Sequence, residues 1–466
     1  MKKAKLMRFT TLYIALSAAL TVGAVQAQQS DTTPPMPPAT GGLAQAPTQV
    51  QPVAPESQDM SGYLSELVKT DRRLSIARAE LEAAELRVRA AWGDWFPDLS
   101  VTAFTGEEDI DYKTASGTDT SLSAKETDYK VTQLLWDFGK TNAKVRSSEF
   151  SRDTAKNSYT IAEQTLLADA AAAYINLFRS MSALDLAYAA EKALFDQLTL
   201  ETKRQDAGAG VKTDVLQAQA QLQGAQARRS RAQVQSQQAQ ARFMNIFGVL
   251  PQSLAAMKQP QLPALPLPQT FDEAIQTGLS NNPTMMAARL STLLATETKN
   301  QSTGGMFPKI EAIWDRKEKD DIAGTRGTKT EEMAKINLTW TFNLGFREFY
   351  TDAANAKAIV GSAAREVDAE RNAREEIGSA FRTLALSRQT AAFLTNQVKS
   401  AEQFLDLARK EREMGKRSLL DVLSGEATLS GAKSDALSAE MDVLLATYNL
   451  LRAMGKLDVG SITAMK

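Results

Sequence analysis

The chain has 466 residues, with 54 Lys and Arg against 55 Asp and Glu, and contains neither histidine nor cysteine. That composition excludes thiol nucleophiles, disulfides, Ser–His triads and the usual zinc ligands, so no enzymatic activity, cofactor or metal site is expected. A formal charge of −1 offers no electrostatic footprint for nucleic acid.

Met1–Ala27 reads as a secretory signal. Lys2, Lys3, Lys5 and Arg8 make a basic start, Leu12–Val22 an apolar middle and Val25-Gln26-Ala27 a small-residue cleavage site. Its removal takes the formal charge from −1 to −5 and leaves no cysteine for a lipid anchor. Gln28–Pro55 is rich in Pro, Gln, Thr and Ala and reads as a disordered or extended tether.

Tyr63–Trp92 is then predicted helical, with Leu64, Leu67, Leu74, Ala77, Leu81 and Ala84 on one stripe. Two stretches of period-two alternation follow. Leu99, Val101, Ala103 and Thr105 oppose Ser100, Thr102 and Phe104, and Tyr129, Val131, Gln133 and Leu135 oppose Lys130, Thr132, Leu134 and Trp136. A polar loop, Gly106–Glu126, joins them. Lys140 to about Asp206 has no proline and good helix formers throughout, giving a helix of roughly 67 residues and about 100 Å. Another helix runs from about Thr213 to Phe247. Prolines cluster from Pro251 to Pro268, and the series then repeats. Phe271–Thr303 is predicted helical, Ile310–Trp314 and Ala334–Phe342 are predicted strands joined by Arg316–Glu332, and Phe346–Met414 and Ser418–Met454 are predicted helices. In the clearest strand, Ile336, Leu338, Trp340 and Phe342 share one face and Lys335, Asn337, Thr339 and Thr341 the other.

The chain is therefore duplicated at an offset of about 207 residues, too long for a solenoid unit. Gly139 recurs as Gly345, Asp214-Val215-Leu216 as Asp421-Val422-Leu423, Leu222 as Leu429 and Gly248 as Gly455. Helices this long, rich in Ala, Gln, Ser and Thr and lacking strong Leu heptads, suit a curved wall of side-by-side helices.

No segment has 18 consecutive apolar residues, so a membrane would have to be crossed by strands closed into a barrel. Each strand has one apolar and one polar face, a pattern shared by membrane barrels and half-buried soluble hairpins. Trp92, Trp95, Trp136, Trp314 and Trp340 all lie in or beside these strands, and with Phe342 they fit an aromatic girdle. Phe342 and Phe346 fit either girdle or packing between strand and helix. Four strands cannot close a barrel, since about eight is the minimum, whereas three copies supply twelve.

The order helix, strand pair, very long helix, turn, helix, given twice, resembles the TolC family of outer-membrane channel proteins over about Tyr63 to Leu457. Leu134-Leu135-Trp136-Asp137-Phe138-Gly139 and the paired Gly-rich turns followed by Asp-Val-Leu carry the likeness. It implies an α+β membrane protein: a homotrimer in the lipids of a Gram-negative outer membrane, with a 12-stranded β-barrel continued by a long periplasmic α-helical barrel. It also implies a periplasmic adaptor (a membrane fusion protein) and an inner-membrane pump as partners. The expected organisation is a signal peptide (1–27), tether (28–58), first repeat (59–250), Pro-rich linker (251–270), second repeat (271–457) and tail (458–466).

By the same resemblance, the turns farthest from the strands form the periplasmic tip. Gly208, Gly210 and Gly415 would supply positive φ there, and together with Val211, Lys416 and Leu419 would face the adaptor. Asp421 matches an acidic ring at the constriction, and Asp214 and Arg417 match partners in the links that hold it shut. Ser424 stands where a second acidic ring occurs in the family, and Arg412 where a gate tyrosine occurs. Helix capping remains an alternative role for Asp214 and for the Ser418-Leu-Leu-Asp421 run, and a solvated charge for Arg417. The expected function is export. Type I secretion of a large protein such as an adhesin, with an ABC transporter, comes first. Multidrug efflux with an RND or MFS pump is the alternative, and a soluble periplasmic coiled-coil scaffold or adaptor the reading from another class. No P-loop appears, so the motor lies elsewhere.

Overall fold

The structure is a computed structural model that describes residues 59–111, 119–251, 257–262, 265–458 and 460. The expected signal peptide, the whole of the tether, part of the linker and most of the tail lie outside the described residues.

Among the described residues the elements run α1 (Met60–Thr70), α2 (Arg72–Gly93), β1 (Asp98–Ile110), β2 (Thr120–Trp136), α3 (Lys140–Asp206), α4 (Lys212–Phe247), α5 (Phe271–Asn281), α6 (Pro283–Gly304), β3 (Lys309–Asp320), β4 (Thr328–Thr339), α7 (Arg347–Glu413) and α8 (Leu419–Ala453). The two long helices have 67 residues each. α2 and α4 both pack along α3, α6 packs between α3 and α7, and α8 packs on α7 and α3. Each half is thus an unbroken helix flanked by two shorter ones.

Both helices that open a repeat are split, where the sequence suggests one piece. Asp71 is extended, ends α1 and caps α2 by accepting from the Arg73 N–H at 2.7 Å. In the second repeat Asn282 stands before Pro283, which disfavours helical geometry at the preceding residue. Its side-chain oxygen accepts from the Thr284 and Met285 N–H groups, and its amide donates to the Ala453 carbonyl at 2.8 Å.

The strands form one antiparallel sheet in the order β1-β2-β3-β4. On the loop side they are longer than the alternation suggests, and β1, β2, β3 and β4 extend well into the segments expected to be polar loops, whereas β4 stops at Thr339, short of the expected Phe342. The extra length carries charges on both faces, which hides the alternation of apolar and polar residues. β1 and β4 are edges, so their outer hydrogen-bonding groups need further strands. At the strand-to-helix junction, buried Asp137 accepts from the Gly139 and Thr141 N–H groups (3.2 and 2.7 Å) and Gly139 has φ +87°.

The main core lies at mid-height of the helices. Tyr63, Tyr174, Phe243 and Phe247 stack there at centroid distances of 4.3–6.4 Å, beside Ile377, Tyr448, Leu450 and Leu451. The Tyr174 hydroxyl donates to the Lys258 carbonyl at 2.8 Å, fastening the start of the linker to this cluster. Burial raises the pKa of the phenols of Tyr63, Tyr174 and Tyr448 above the usual value. Small side chains let the helices approach closely, and a Cβ on Gly278 would collide with the Ile377 side chain. Away from this belt the wall is one helix layer thick. Val360, Val367, Leu386, Phe393 and Leu407 of α7 are all exposed in the single chain.

Candidate functional site

At the end of the helices farthest from the strands, α3 turns into α4 and α7 into α8. Gly208 (φ +76°) and Gly415 (φ +72°) supply the left-handed residue at each turn. Gly210, expected to do the same, does not. Its φ is not positive, but a Cβ there would lie 2.8 Å from the Gln205 backbone nitrogen, so its lack of a side chain permits the close return of the chain. Val211 and Lys416 are exposed. Leu419, expected on the adaptor-facing surface, is 2% exposed and packs with Leu194, Ala218, Leu222, Ala225 and Leu423, while its neighbour Leu420 is exposed. The apolar side chain at the start of α8 is used to join the two helix pairs.

A second joint lies beside it. Arg412, near the end of α7, reaches the first helix pair and places Nη2 3.0 Å from Asp214 Oδ2 and 3.5 Å from Glu201 Oε2. Glu201, on α3, is 1% exposed, and its other oxygen accepts from Gln197 Nε2 at 2.9 Å and Arg204 Nη1 at 3.2 Å. One guanidinium thus bridges α7 to both α3 and α4. Asp214 does not cap α4, whose N-cap is Val211. Nor does it pair with Arg417 inside the chain. Arg417 instead donates to Glu411 Oε2 at 2.6 Å and lies 5.2 Å from the centre of the Phe404 ring, so it is committed to its own helix pair. Just above, Lys410 is drawn to Asp406, whose hydrogen bond and charge raise its pKa.

Asp421 and Ser424, three residues apart, are both exposed on α8, away from buried Leu419, Val422 and Leu423. Asp421 also takes part in a reciprocal cap. Its N–H donates to Ser418 Oγ at 3.2 Å, and the Ser418 hydroxyl donates to its carboxylate at 2.9 Å. The cap fixes the carboxylate at the extreme end of the helix.

At the opposite end, the strand register sorts the side chains into two faces. Leu99 lies opposite Val131, Val131 opposite Trp314, and Trp314 opposite Ala334, so these residues share a face with Val101, Tyr129, Ala312, Ile336 and Leu338. Leu99, Val101, Ile336 and Leu338 are exposed in the chain and form an apolar band. The register shift between Leu134 and Trp136 carries Trp136 onto this face opposite Ile310, where simple alternation would put it on the polar side. Trp136 and Trp340 mark one edge of the band, and Tyr129 and Trp314 the other. Along β4 the edges are about six residues, or roughly 20 Å, apart. Trp314 donates to Glu332 at 2.8 Å and Trp340 to the Met306 carbonyl at 3.1 Å. Trp92 and half-buried Trp95 sit where α2 passes into β1, and exposed Phe342 meets the edge of Phe346.

The other face is concave and charged. Lys317 sits 3.7 Å from Glu126 and 3.4 Å from Asp128, Lys335 3.5 Å from Asp315, and Lys319 2.7 Å from Glu331. Below them Asp98, Lys309, Glu311, Lys140, Lys144, Arg347 and Glu348 line an open concavity of about 1120 Å³ where strands meet helices. Among the described residues no cluster of acidic side chains is placed to hold a metal ion.

Residues 63–249 and 274–456 match the family model described as outer membrane efflux protein. The chain is 27% identical over 403 residues to the outer membrane efflux protein BepC of Brucella suis biovar 1 (strain 1330), covering 86% of each. It is 24% identical over 400 residues to the outer membrane protein TolC of Escherichia coli (strain K12), covering 83% of this chain and 80% of that one. In fold it is similar to the outer membrane protein VceC from Vibrio cholerae, with TM-score 0.72, 18% identity, and coverage of 85% of this chain and 96% of that one.

Proposed function

Because the chain belongs to the outer membrane efflux protein family, we propose that it is a passive export duct held closed at its periplasmic tip by Arg412. It is an outer-membrane channel of TolC type, in which three four-stranded sheets close one barrel and the helices continue it into the periplasm. Channels of this family are homotrimers that work with periplasmic adaptors and inner-membrane pumps. The sheet edges left by β1 and β4, and the apolar band between its aromatic rows, supply what such a barrel requires.

The observation that carries the gate is the guanidinium shared between Glu201 and Asp214. It adds a charged tie to the apolar Leu194–Leu419 cluster that joins the same two helix pairs near the tip. Asp421, repeated about a threefold axis, adds a ring of carboxylates that favours cations at the constriction. Adaptor docking on the turns around Gly208 and Gly415 would pull the pairs apart. Conductance of the purified trimer in a planar bilayer tests the gate, with Arg412→Ala expected to raise it.

Two cargo readings remain distinct. Type I secretion of a large protein, served by an ABC transporter, suits the acidic tip that Asp421 provides. The efflux name of the relative BepC supports small-molecule export by a drug pump. Deleting the gene separates them: loss of a surface protein with unchanged sensitivity to toxic compounds supports the first, and the reverse supports the second.

A further inference from the structure

The outer end of the barrel carries a contact unrelated to the tip. Glu108 lies opposite Leu122 in the register of β1 and β2, on the concave face that also bears Ala124, Glu126 and Asp128. The turn between β3 and β4, residues 321–327, donates the Gly324 N–H to the Glu108 carboxylate at 3.2 Å. β3 and β1 are separated by β2, a distance of about 10 Å at normal strand spacing. A turn rising straight from its own hairpin would not reach Glu108. To do so it must lean across the concave side of β2.

Burial along β2 agrees. Ser121, Ser123 and Lys125 are exposed, whereas Leu122 and Ala124, on the concave face, are 7% and 4% exposed. The backbone of the turn is built for this path. Asp321 (φ +49°), Ala323 (φ +56°), Gly324 (φ +68°) and Gly327 (φ +105°) all take left-handed conformations. The Gly327 N–H is fixed to Asp321 Oδ1 at 2.7 Å, and the Thr325 N–H to the Ile322 carbonyl at 3.2 Å. Two non-glycine residues in that region mark a specified conformation, since L-residues with a Cβ seldom adopt it.

We infer that this turn is an inward-folded constriction at the extracellular mouth, latched by Glu108 and acting independently of the tip. In the trimer three such turns surround the exit, each carrying an exposed Arg326. Cargo leaving the barrel, and solutes entering from outside, would have to displace the turns. Release of the Glu108 contact would widen the mouth without rearranging the sheet.

Because the chain has no cysteine, one introduced thiol reports on the cover directly. Leu122→Cys and Ser121→Cys trimers in the outer membrane of intact cells are treated with fluorescein maleimide, which does not cross the membrane. Leu122→Cys is expected to react slowly, and about tenfold faster when combined with Glu108→Ala, the change expected from losing one hydrogen bond to a charged group. Glu108→Gln, which keeps the acceptor, should preserve protection, and Ser121→Cys should react alike in all backgrounds. If Glu108→Ala fails to give heat-resistant trimers, replacing Ile322–Arg326 by Asn-Gly provides the same exposure. Equal labelling of Leu122→Cys with and without Glu108 or the intact turn would overturn the inference. The labelling is read from outside the cell, so it stands or fails separately from the conductance test of Arg412.

Discussion

Replacing Arg412 by alanine in all three copies should convert a closed channel into one that is open for much of the time. At 3.0 Å from Asp214 and an effective dielectric of about 20, the bare attraction is about 5–6 kcal/mol. Most of that is offset by desolvation. Exposed pairs are worth about 0–1 kcal/mol, and removing one partner of a buried pair costs about 3–5. Both side chains here are 22% exposed and Glu201 is 1% exposed, which places the link near 2 kcal/mol per protomer, between those limits. Three links then bias the trimer towards closure by about 6 kcal/mol, enough to move a two-state equilibrium from almost wholly closed to substantially open. Single-channel recording in planar bilayers should show a several-fold rise in mean conductance. Arg412→Lys, a point charge that cannot span both carboxylates, should give an intermediate value. Arg417→Ala should change little, because Arg417 is bound to Glu411 within its own helix pair. An Arg417→Ala channel as open as Arg412→Ala, or wild-type conductance in both Arg412→Ala and Glu201→Gln, would refute this assignment of the latch.

Three further outcomes are expected. Ile336→Lys, on the outward face, should lower the temperature at which the trimer dissociates on a gel, by a cost of about 2–4 kcal/mol near the membrane midplane, whereas Asn337→Lys on the concave face should be tolerated. Asp352 is held below the usual carboxylate range, first by the Thr303 hydroxyl and then by Ser302 and Lys299. Its ionised form therefore favours the folded state, a contribution present above the ordinary Asp pKa and lost as pH falls through the lowered one. Asp352→Asn should accordingly lower thermal stability at pH 7, and its difference from the parent should fade in acid melts. Gly210→Ala should weaken adaptor capture more than Gly208→Ala in a pull-down with the purified adaptor. The first drives a Cβ into the Gln205 backbone, while the second has open space and meets a left-handed strain of only about 1 kcal/mol.

Much of the architecture was legible because it is written in periodicity. The run from Lys140 to Asp206 has no breaker, and Ile336, Leu338 and Trp340 alternate cleanly with Asn337 and Thr339. The breaks at Asp71 and Asn282 were written in less obvious residues. Thr-Asp and Asn-Asn-Pro are capping signals that a continuous apolar stripe conceals. Strand length beyond Thr105 was hidden because Glu107, Glu108, Glu126 and Lys317 put charges on both faces. The bulge that turns Trp136 outward inserts a leucine among leucines and leaves no trace in composition. Glu201 was missed for a different reason. A glutamate in a polar helix end looks solvated, although Gln197, Glu201 and Arg204 at i, i+4 and i+7 could have marked one face as an ionic cluster. The partner of Asp214 depended on which arginine of the second turn faces across the joint, and only packing decides that.

The aromatic belt around Tyr63, Tyr174, Phe243 and Phe247 acquires a mechanical meaning from its position along α3. From Tyr174 to the tip at Asp206 the helix continues for about 32 residues, a lever of about 48 Å pivoting on that belt. A tilt of about 5° at such a fulcrum displaces the far end by about 4 Å, more than the 3.0 Å that separates Arg412 from Asp214. In the proposed gate, a small torque applied at the tip would therefore be amplified along an unbroken rod into a displacement of that size, with little change in the core.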